Sequence, residues 1–242
     1  MQKYILVTAS SKGLGLEIAK RLSFDGYSII LTSRSEKNLR IAHEQLNKKV
    51  KHQHIVIDFS KNEIEENLID KIKDLNIVAI VHNYGIKMEN DTHPIDIDIL
   101  NQTINNNFSI SVLINNKLFE KPSREIRKII YIGSTASLHA KASPSYTLSK
   151  SLINSYVKNS SFFYLEKNIS ICAILPGIMG HKNSEWDKKK NTENQKYLDK
   201  QESQPLKRFS MPEEVASYIS GIVSIDNFLI TGSILKLDAN DY

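Results

Sequence analysis

The stretch of residues 4–15, which reads YILVTASSKGLG, decides the fold of this chain. Its first part, Tyr4–Thr8, is a short apolar run that predicts a strand. Two glycines, Gly13 and Gly15, follow where a helical pattern begins. Glycine in such a turn lets the backbone approach a phosphate, and the free N–H groups at the helix N-terminus attract that anion. The stretch therefore predicts a strand–turn–helix unit that binds a nucleotide.

Further runs of strand length alternate with helical patterns along the rest of the chain. They are rich in Ile and Val and apolar at successive positions, which indicates strands that helices cover on both faces. Helical periodicity is clear in Leu14–Phe24 and Glu36–Lys48. The alternation predicts one Rossmann-type α/β domain over residues 1–242, with a doubly wound parallel sheet between helices. The predicted later strands are Tyr27–Ser33, His54–Asp58, Ile77–His82, Lys128–Ser134, Ile169–Leu175 and Ile234–Leu237.

Composition narrows the class of protein. The 242 residues are 40% hydrophobic and 24% charged, as expected for a soluble globular protein, and no apolar run reaches the roughly 20 residues that span a bilayer. The single cysteine, Cys172, fits a reducing compartment, and the strand-like run that begins at Tyr4 leaves no room for a signal peptide, so we expect a cytoplasmic protein. The net charge of +5 is spread along the chain, which predicts anionic small molecules rather than nucleic acid as partners. No histidine has metal-ligand spacing, so we expect no metal.

The longest stretch without a strand or core pattern is Gly177–Pro205, which contains Lys188–Lys190 and the only tryptophan, Trp186. Long irregular segments inside compact domains tend to be lids or binding loops. A solvated surface helix is the alternative interpretation. We take residues 178–207 as a predicted substrate lid.

A phenol and an ammonium group, Tyr146 and Lys150, lie four residues apart and so share one face of a predicted helix. A phenol with a pKa near 10 is a poor acid or base at neutral pH, but a nearby cation stabilises its phenolate. Twelve residues upstream, Ser134 ends a predicted strand, at the sheet edge where open α/β folds bind ligands. The three residues predict an acid–base site.

These motifs, in this order, resemble the short-chain dehydrogenase/reductase family over nearly the whole chain, and the closing segments resemble its 3-oxoacyl-carrier-protein reductase branch. The chain departs from the family pattern at Ala9, Tyr84 and Gly180, and at Ala239-Asn240, which replace the usual terminal glycines. Ala9 replaces the first glycine of the turn, which is tolerable if its φ stays below zero. Tyr84 replaces an alanine, so its ring either narrows the cofactor site or turns outward. Gly180 replaces a threonine, which removes one expected cofactor contact.

The resemblance implies a catalytic role for Ser134, Tyr146, Lys150 and Asn107. Tyr146 exchanges the proton of the substrate hydroxyl, Lys150 tunes it and holds the ribose, and Ser134 fixes the substrate oxygen. Asn107 completes the set through a water relay to the lysine. Its neighbours Asn105 and Asn106 leave the register of this assignment open.

The expected cofactor is NADP(H). The second strand ends without the acidic residue that usually holds the ribose of NAD. Arg34 follows that strand and can pair with a 2′-phosphate, and Lys12 adds a second cation. Asp58 matches the family position that contacts the adenine amino group. The predicted cofactor-binding residues are Thr8, Ser10, Ser11, Lys12, Gly13, Leu14, Gly15, Ser33, Arg34, Asp58, Phe59, Asn83, Tyr84, Gly85, Tyr146, Lys150, Pro176, Gly177 and Ile178.

The implied reaction is hydride transfer between the nicotinamide and a carbonyl or secondary alcohol. The polar lid, with residues such as Asn183, slightly favours a keto-sugar or nucleotide-sugar substrate. The alternative is a 3-oxoacyl thioester on an acidic carrier protein, which Lys188–Lys190 and Lys207-Arg208 could receive. A dinucleotide-binding regulator without catalysis is a third hypothesis. The resemblance also implies a homodimer or homotetramer that pairs through the helix of Tyr146, where Phe162–Tyr164 offers apolar surface or belongs to the core.

Overall fold

A computed structural model describes residues 2–61, 64–120, 125–181 and 184–239. Seven parallel strands form one sheet in the order β3-β2-β1-β4-β5-β6-β7. Every predicted strand is present, with its ends displaced by at most two residues, and the predicted fold class is confirmed. The strands are β1 Tyr4–Val7, β2 Ser28–Ser33, β3 Gln53–Val56, β4 Ile77–His82, β5 Lys128–Ile132, β6 Ser170–Pro176 and β7 Ile234–Leu237.

Helices cover both faces of this sheet. The second helix ends at His43, so the predicted segment Glu36–Lys48 was too long. The stretch Gly177–Pro205 contains two helices instead of an irregular loop. The helices are α1 Gly13–Phe24, α2 Glu36–His43, α3 Asp70–Ile72, α4 Ile97–Ile104, α5 Ile110–Phe119, α6 Ala136–His139, α7 Pro144–Leu165, α8 Glu185–Thr192, α9 Asn194–Glu202 and α10 Pro212–Ser224, with π-helical turns at Glu65–Ile69 and Asn105–Ser109.

Successive residues of each central strand enter two different cores. In β1, Leu6 packs into the core that contains α5 and α7, whereas Ile5 and Val7 pack into the core that contains α1 and α10. All three side chains are fully buried. This two-sided burial explains why the strands are apolar at every position rather than at alternate ones. Cys172 of β6 is part of the second core, and burial raises the pKa of its thiol to about 12.

The order of the strands positions the functional site. From β1 the chain runs outward to β2 and β3, then returns to β4 on the other side of β1. Ligands in open α/β sheets bind outside the carboxyl ends of the strands at such a reversal. The turns that follow β1 and β4 therefore meet at the binding edge.

Within the described residues, no helix is both long and apolar enough to cross a membrane.

Candidate active site

Two polar side chains fasten the turns after β1 and β4 to each other. The hydroxyl oxygen of Thr8 accepts the N–H groups of Asn83 and Tyr84 at 2.8 and 2.9 Å. In return, the side-chain amide of Asn83 donates to the carbonyl oxygens of Thr8 and Ala9, each at 3.1 Å. The buried hydroxyl of Ser10 links β1 to β2. It donates to the Val7 carbonyl at 2.8 Å and accepts the N–H of Thr32 at 3.0 Å. Thr8 and Ser10 therefore shape the turn without lining either described cavity, whereas Asn83 also reaches a cavity wall.

The glycine-rich turn contains an alanine in a strained conformation. Ala9 has a φ of +52°, so the condition under which an alanine is tolerable here, a φ below zero, is not met. Asn83 holds the Ala9 carbonyl, and the left-handed region costs a non-glycine residue about 1 kcal/mol. At Gly15 a Cβ atom would overlap the Ala9 carbonyl oxygen and lie 2.5 Å from Nδ2 of Asn83. Gly13 has a φ of +55°, and a Cβ there would lie 3.3 Å from Cε1 of His181. Space therefore requires glycine at Gly15, and the positive φ favours glycine at Gly13.

A cavity of about 370 Å³ lies beside this turn, between the ends of β2 and β3. Lys12 and Arg34 both contribute to its wall. The hydroxyl of Ser11 donates to that of Ser33 at 2.9 Å across the gap between the two turns. Ser60 donates its hydroxyl and N–H to Asp58 at 2.7 and 3.1 Å, which lowers the pKa of that carboxyl group. The cavity therefore combines two cations with one carboxylate that is held by its own loop.

Tyr84 forms part of the wall of the 370 Å³ cavity and does not turn outward. Its ring packs against Phe59 with centroids 4.9 Å apart, and its hydroxyl donates to Oδ1 of Asn106 at 2.7 Å. Partial burial raises the pKa of the phenol. The larger residue is accommodated because Asn106 and Phe59 provide a polar and an aromatic partner.

Helix α7 carries Tyr146 and Lys150 on one face. The Lys150 ammonium lies 5.7 Å from the centroid of the Tyr146 ring and donates to the carbonyl oxygen of Ile132 at 3.0 Å. Lys150 is only 4% exposed, and burial lowers its pKa to about 8. Ile132 ends β5, so the last carbonyl of that strand holds the lysine next to the phenol. Ser134 follows two residues later and lies in the wall of the same cavity as the pair.

Asn107 lies on the π-helical turn Asn105–Ser109 and is 3% exposed. Its side chain accepts the N–H of Ile86 at 2.7 Å and donates to the Ile86 carbonyl at 2.9 Å. A Cβ on Gly85 would lie 2.6 Å from Oδ1 of Asn107 and 3.3 Å from Nζ of Lys150. Asn107 and Lys150 therefore flank Gly85, whereas Asn106 bonds to Tyr84 and Asn105 is exposed. The three asparagines of this π-helical turn thus have three different surroundings, and such turns are frequent at functional sites.

A cavity of about 670 Å³ brings nine of the predicted residues together at the carboxyl edge of the sheet. Gly85 contributes to this active-site cavity and to the 370 Å³ cavity. Thr8, Ser10, Asn107, Gly13 and Gly15 line neither of these two cavities. The predicted residues in the active-site cavity are Leu14, Asn83, Gly85, Ser134, Tyr146, Lys150, Pro176, Gly177 and Ile178, and those in the smaller cavity are Ser11, Lys12, Ser33, Arg34, Asp58, Phe59, Tyr84 and Gly85.

The predicted lid segment contributes residues to the active-site cavity, although Lys182 and Asn183 lie outside the described residues. Trp186 on α8 packs against Phe209 with centroids 5.5 Å apart, and Lys189 lies over the Trp186 ring at 4.7 Å. Gly180 lies against the same aromatic residue, since a Cβ there would approach Cβ of Phe209 to 3.2 Å. This contact gives a packing reason for glycine in place of threonine.

Sequence reasoning missed Asp91, which lies in the loop after β4. Its two carboxylate oxygens accept the N–H groups of Ser145 and Tyr146 at 3.0 and 3.1 Å, and Asp91 is only 7% exposed. The carboxylate thus caps the N-terminus of α7. Asp91 is 54 and 55 residues away from its two partners, so no local pattern could reveal the contact.

Within the described part of the chain, no three His, Cys, Asp or Glu side chains form a group that could hold a metal ion.

Comparison with known proteins agrees with this geometry. The chain is 28% identical over 258 residues to dehydrogenase/reductase SDR family member 4 of Caenorhabditis elegans, covering 96% of this chain and 92% of that protein. The fold is similar to that of L-sorbose reductase from Gluconobacter frateurii, solved with NADPH and L-sorbose (TM-score 0.88, 22% identity, 99% and 96% of the two chains). It is also similar to 3-oxoacyl-[acyl-carrier protein] reductase from Brucella melitensis in complex with NAD (TM-score 0.84, 20% identity, 99% and 96%).

The doubly wound sheet, the glycine-rich first turn and the Tyr–Lys pair at the carboxyl edge define an oxidoreductase of the class that binds nicotinamide dinucleotides. Residues 3–194 match the model of the short chain dehydrogenase family, and the chain belongs to that family. The resemblance on which the sequence analysis relied is confirmed.

Proposed function

We propose that this protein is an NADP(H)-dependent oxidoreductase that interconverts a carbonyl and a secondary alcohol. The observation that carries the proposal is the Tyr146 phenol beside the buried ammonium of Lys150, in the wall of a cavity that also contains Ser134. A phenol in this position can exchange a proton with a substrate oxygen if the adjacent cation stabilises its phenolate.

The residues around the two cavities fit an extended dinucleotide. The cavities share Gly85 and Ile86, so one ligand can occupy both. The glycine-rich turn lies between them and offers N–H groups at the N-terminus of α1 to a pyrophosphate. Lys12 and Arg34 line the smaller cavity, which favours the extra 2′-phosphate of NADP(H). Asp58 also lines this cavity, accepts two hydrogen bonds from Ser60, and matches the family position that contacts the adenine amino group.

The nicotinamide, when bound, would supply or accept the hydride. The chain's own residues would handle the proton and the orientation of the substrate. Tyr146 would give or take the hydroxyl proton, and Ser134 would donate a hydrogen bond to the substrate oxygen. One of the three N–H donors of Lys150 is bonded to Ile132, so two others can stabilise the phenolate and hold the ribose.

The first proposed substrate is a small polar keto compound, such as a keto-sugar or a nucleotide-linked sugar. The alternative, 3-oxoacyl-carrier-protein reduction, needs cations that face outward to an acidic carrier. Arg208 instead forms a two-bond fork with Glu214 at 2.7 and 2.9 Å, and Lys207 pairs with Glu202 at 3.0 Å. Internal pairing therefore occupies these two cations, whereas Lys188 and Lys190, the other part of the expected patch, are exposed and keep the carrier hypothesis as an alternative.

A regulator without catalysis is the second alternative. Tyr146, Lys150 and Ser134 are all present and all line one cavity, which argues against this alternative. The deciding experiment follows loss of NADPH absorbance with keto-sugars, nucleotide-linked keto-sugars and 3-oxoacyl thioesters, with NADH in parallel. Turnover that disappears in Tyr146→Phe, while NADPH still binds, would support the enzyme. Unchanged turnover in that variant would overturn the mechanism, and binding without any turnover would favour the regulator.

We further propose a homodimer or homotetramer that pairs through α7. Phe162 and Phe163 are 70% and 53% exposed on this helix, whereas Tyr164 is buried in the core and cannot contribute. The molar mass by light scattering, compared between the wild type and Phe162→Glu, tests this pairing.

We also propose a cytoplasmic location, because a single cysteine, the buried Cys172, fits a reducing compartment.

A further inference from the structure

Tyr84 connects the smaller cavity to the helical turn that carries Asn107. On one side, its ring lies in the wall of the 370 Å³ cavity and packs against Phe59 with centroids 4.9 Å apart. On the other side, its hydroxyl donates to Oδ1 of Asn106 at 2.7 Å, the usual length of a well-formed O–H···O bond. One side chain thus contacts both the proposed cofactor site and the π-helical turn Asn105–Ser109.

The side-chain amide of Asn106 is bonded at both of its ends. Its oxygen accepts the Tyr84 hydroxyl, and its nitrogen donates to the carbonyl oxygen of Gln102 at 2.8 Å, one turn earlier in the chain. Asn106 is only 7% exposed, so water cannot readily replace the phenol as a donor. A buried acceptor that loses its donor costs free energy. The Tyr84 hydroxyl therefore stabilises the turn in the conformation that directs Asn106 towards it.

Segment 84–86 is attached to the π-helical turn at two adjacent positions. Tyr84 bonds to Asn106, and the N–H and carbonyl of Ile86 bond to the Asn107 side chain at 2.7 and 2.9 Å. A π-turn holds one residue more than an α-helical turn, so its loss would rotate the side chains on one side of it by about 100°. The bond from Tyr84 opposes a change that would separate Asn107 from Ile86.

Asn107 in turn borders the buried lysine of the site. Its amide nitrogen donates to the hydroxyl of Ser149 at 3.2 Å, and Ser149 precedes Lys150 on α7. Only Gly85 separates the Asn107 amide from the Lys150 ammonium, since a Cβ on that glycine would lie 2.6 Å from Oδ1 of the first and 3.3 Å from Nζ of the second. A displacement of Asn107 would therefore change the surroundings of Lys150.

We infer that Tyr84 is a positioning residue of the proposed reaction. Its hydroxyl holds Asn106, and with it the π-helical turn, so that Asn107 stays beside the catalytic lysine. The inference rests on the proposed function, in which Asn107 and Lys150 assist Tyr146. The competing role is a contact between the Tyr84 ring and the cofactor alone. Such a contact needs the ring and not the hydroxyl, so Tyr84→Phe separates the two roles.

Steady-state kinetics of Tyr84→Phe test the inference, with NADPH and a keto compound that the wild type reduces. We expect kcat to fall roughly three- to tenfold, because small displacements of catalytic groups slow turnover strongly. The Kd for NADPH, read from quenching of Trp186 fluorescence, should stay within about twofold, because the ring remains in the cavity wall. Wild-type kcat in Tyr84→Phe, or a weaker Kd with unchanged kcat, would overturn the inference.

Two further variants make this result specific. Tyr4→Phe is the matched control, because it removes another phenol hydroxyl, which donates to Gln2 at 3.2 Å at the amino end of β1, and it should keep wild-type kcat. Tyr146→Phe tests the proposed function in the same assay and should abolish turnover. If Tyr146→Phe is inactive and Tyr84→Phe is normal, only the positioning role fails. If Tyr146→Phe retains turnover, the proposed mechanism itself fails.

A double-mutant cycle tests the route through Asn106. Asn106→Ala removes the acceptor of the phenol and should lower kcat about as much as Tyr84→Phe does. Residues that act through one shared bond are not additive, so the double variant should lose little more than either single variant. Losses that multiply in the double variant would show that Tyr84 acts by another route and would overturn the inference.

The side-chain amide of Asn107 gives a readout that needs no substrate. Its nitrogen donates to the Ile86 carbonyl and to Ser149 inside the fold, so its two protons should exchange slowly with solvent. We expect Tyr84→Phe to shift the NMR signals of this amide and to speed its exchange, whereas Tyr4→Phe should leave both unchanged. Unaltered Asn107 signals in Tyr84→Phe would contradict the positioning role even if no compound is reduced.

Discussion

The Lys150 ammonium lies 5.7 Å from the centroid of the Tyr146 ring, and the two residues share one face of α7. The lysine is held there by the carbonyl of Ile132 and has lost nearly all contact with solvent. A buried cation costs free energy in the folded state unless it is well paired. The protein therefore keeps a destabilising charge beside its phenol, which is typical of a functional site.

The pH dependence of stability should report this charge. Burial lowers the pKa of Lys150 from 10.5 to about 8, so between those values the unfolded chain binds the proton and the folded chain does not. Stability contributed by this group must rise with pH across that window, by about 3 kcal/mol in total. Lys150→Met should lack this rise in urea unfolding between pH 8 and 10.5. Lys158→Met, an exposed lysine of the same helix, is the control and should keep it.

The cofactor preference should depend on Arg34. We expect Arg34→Gln to raise the Kd for NADPH roughly 10- to 100-fold and to change the Kd for NADH much less, because only NADPH has the 2′-phosphate. Quenching of Trp186 fluorescence measures both constants. Arg40→Gln is a matched control, since Arg40 is exposed on α2 and pairs with Glu36 at 2.8 Å. Equal losses for both cofactors would contradict the assignment.

Relief of backbone strain at Ala9 should stabilise the protein. Glycine adopts a φ of +52° without the steric cost that an alanine has there, so Ala9→Gly should gain up to about 1 kcal/mol in the free energy of unfolding. Gly15→Ala should act in the opposite direction, because its Cβ overlaps the Ala9 carbonyl oxygen. Urea denaturation measures both changes. A destabilised Ala9→Gly would show that the turn is not strained.

Acid should destabilise the fold through His82. Its Nε2 lies 2.8 Å from Oδ1 of Asn115, and burial lowers the pKa of the imidazole to about 4. Between pH 6.5 and about 4 the unfolded chain takes up a proton that the folded chain does not, so stability falls with falling pH by about 3 kcal/mol. His82→Asn should show a shallower loss across this window, at some cost in packing. The exposed His93→Gln is the control, and an identical slope in His82→Asn would refute the prediction.

Asp91 should affect turnover as well as stability, because it caps the helix that carries Tyr146. Asp91→Asn keeps one acceptor oxygen of two and should lower kcat severalfold, with a stability loss of about 1–2 kcal/mol. Asp96 caps α4 in a similar way, since its Oδ1 accepts the N–H groups of Asp98 and Ile99 at 2.8 and 3.1 Å. Asp96→Asn should therefore lose similar stability without a change in kcat. If both variants change kcat equally, Asp91 is a structural cap and no more.

Much of the fold could be read from local patterns. Each strand has its own apolar run, because burial on both faces removes the need for polar positions, and the runs located all seven strands to within two residues. The helices of the lid were less readable. Helices α8 and α9 are mostly exposed and have few apolar residues, so they lack the periodicity that marks a helix packed on a core.

The candidate site likewise has one part that local sequence patterns predict and another part that they do not. Tyr146 and Lys150 could be paired from their spacing, since four residues along a helix place two side chains on one face whatever surrounds them. The sign of φ at Ala9 and the inward position of Tyr84 depend on hydrogen bonds from Asn83 and Asn106, which are more than 20 residues away in each case.

What the sequence by itself determined is therefore the set of elements, the phosphate-binding turn and the acid–base pair, because each depends on neighbours within a few residues. The tertiary structure alone decided that Asp91 caps α7 and that Tyr84 bonds to Asn106. Side chains far apart in the chain become neighbours only when the sheet brings the loops at its carboxyl edge together. The contacts at that edge are a property of the assembled fold and of no single segment.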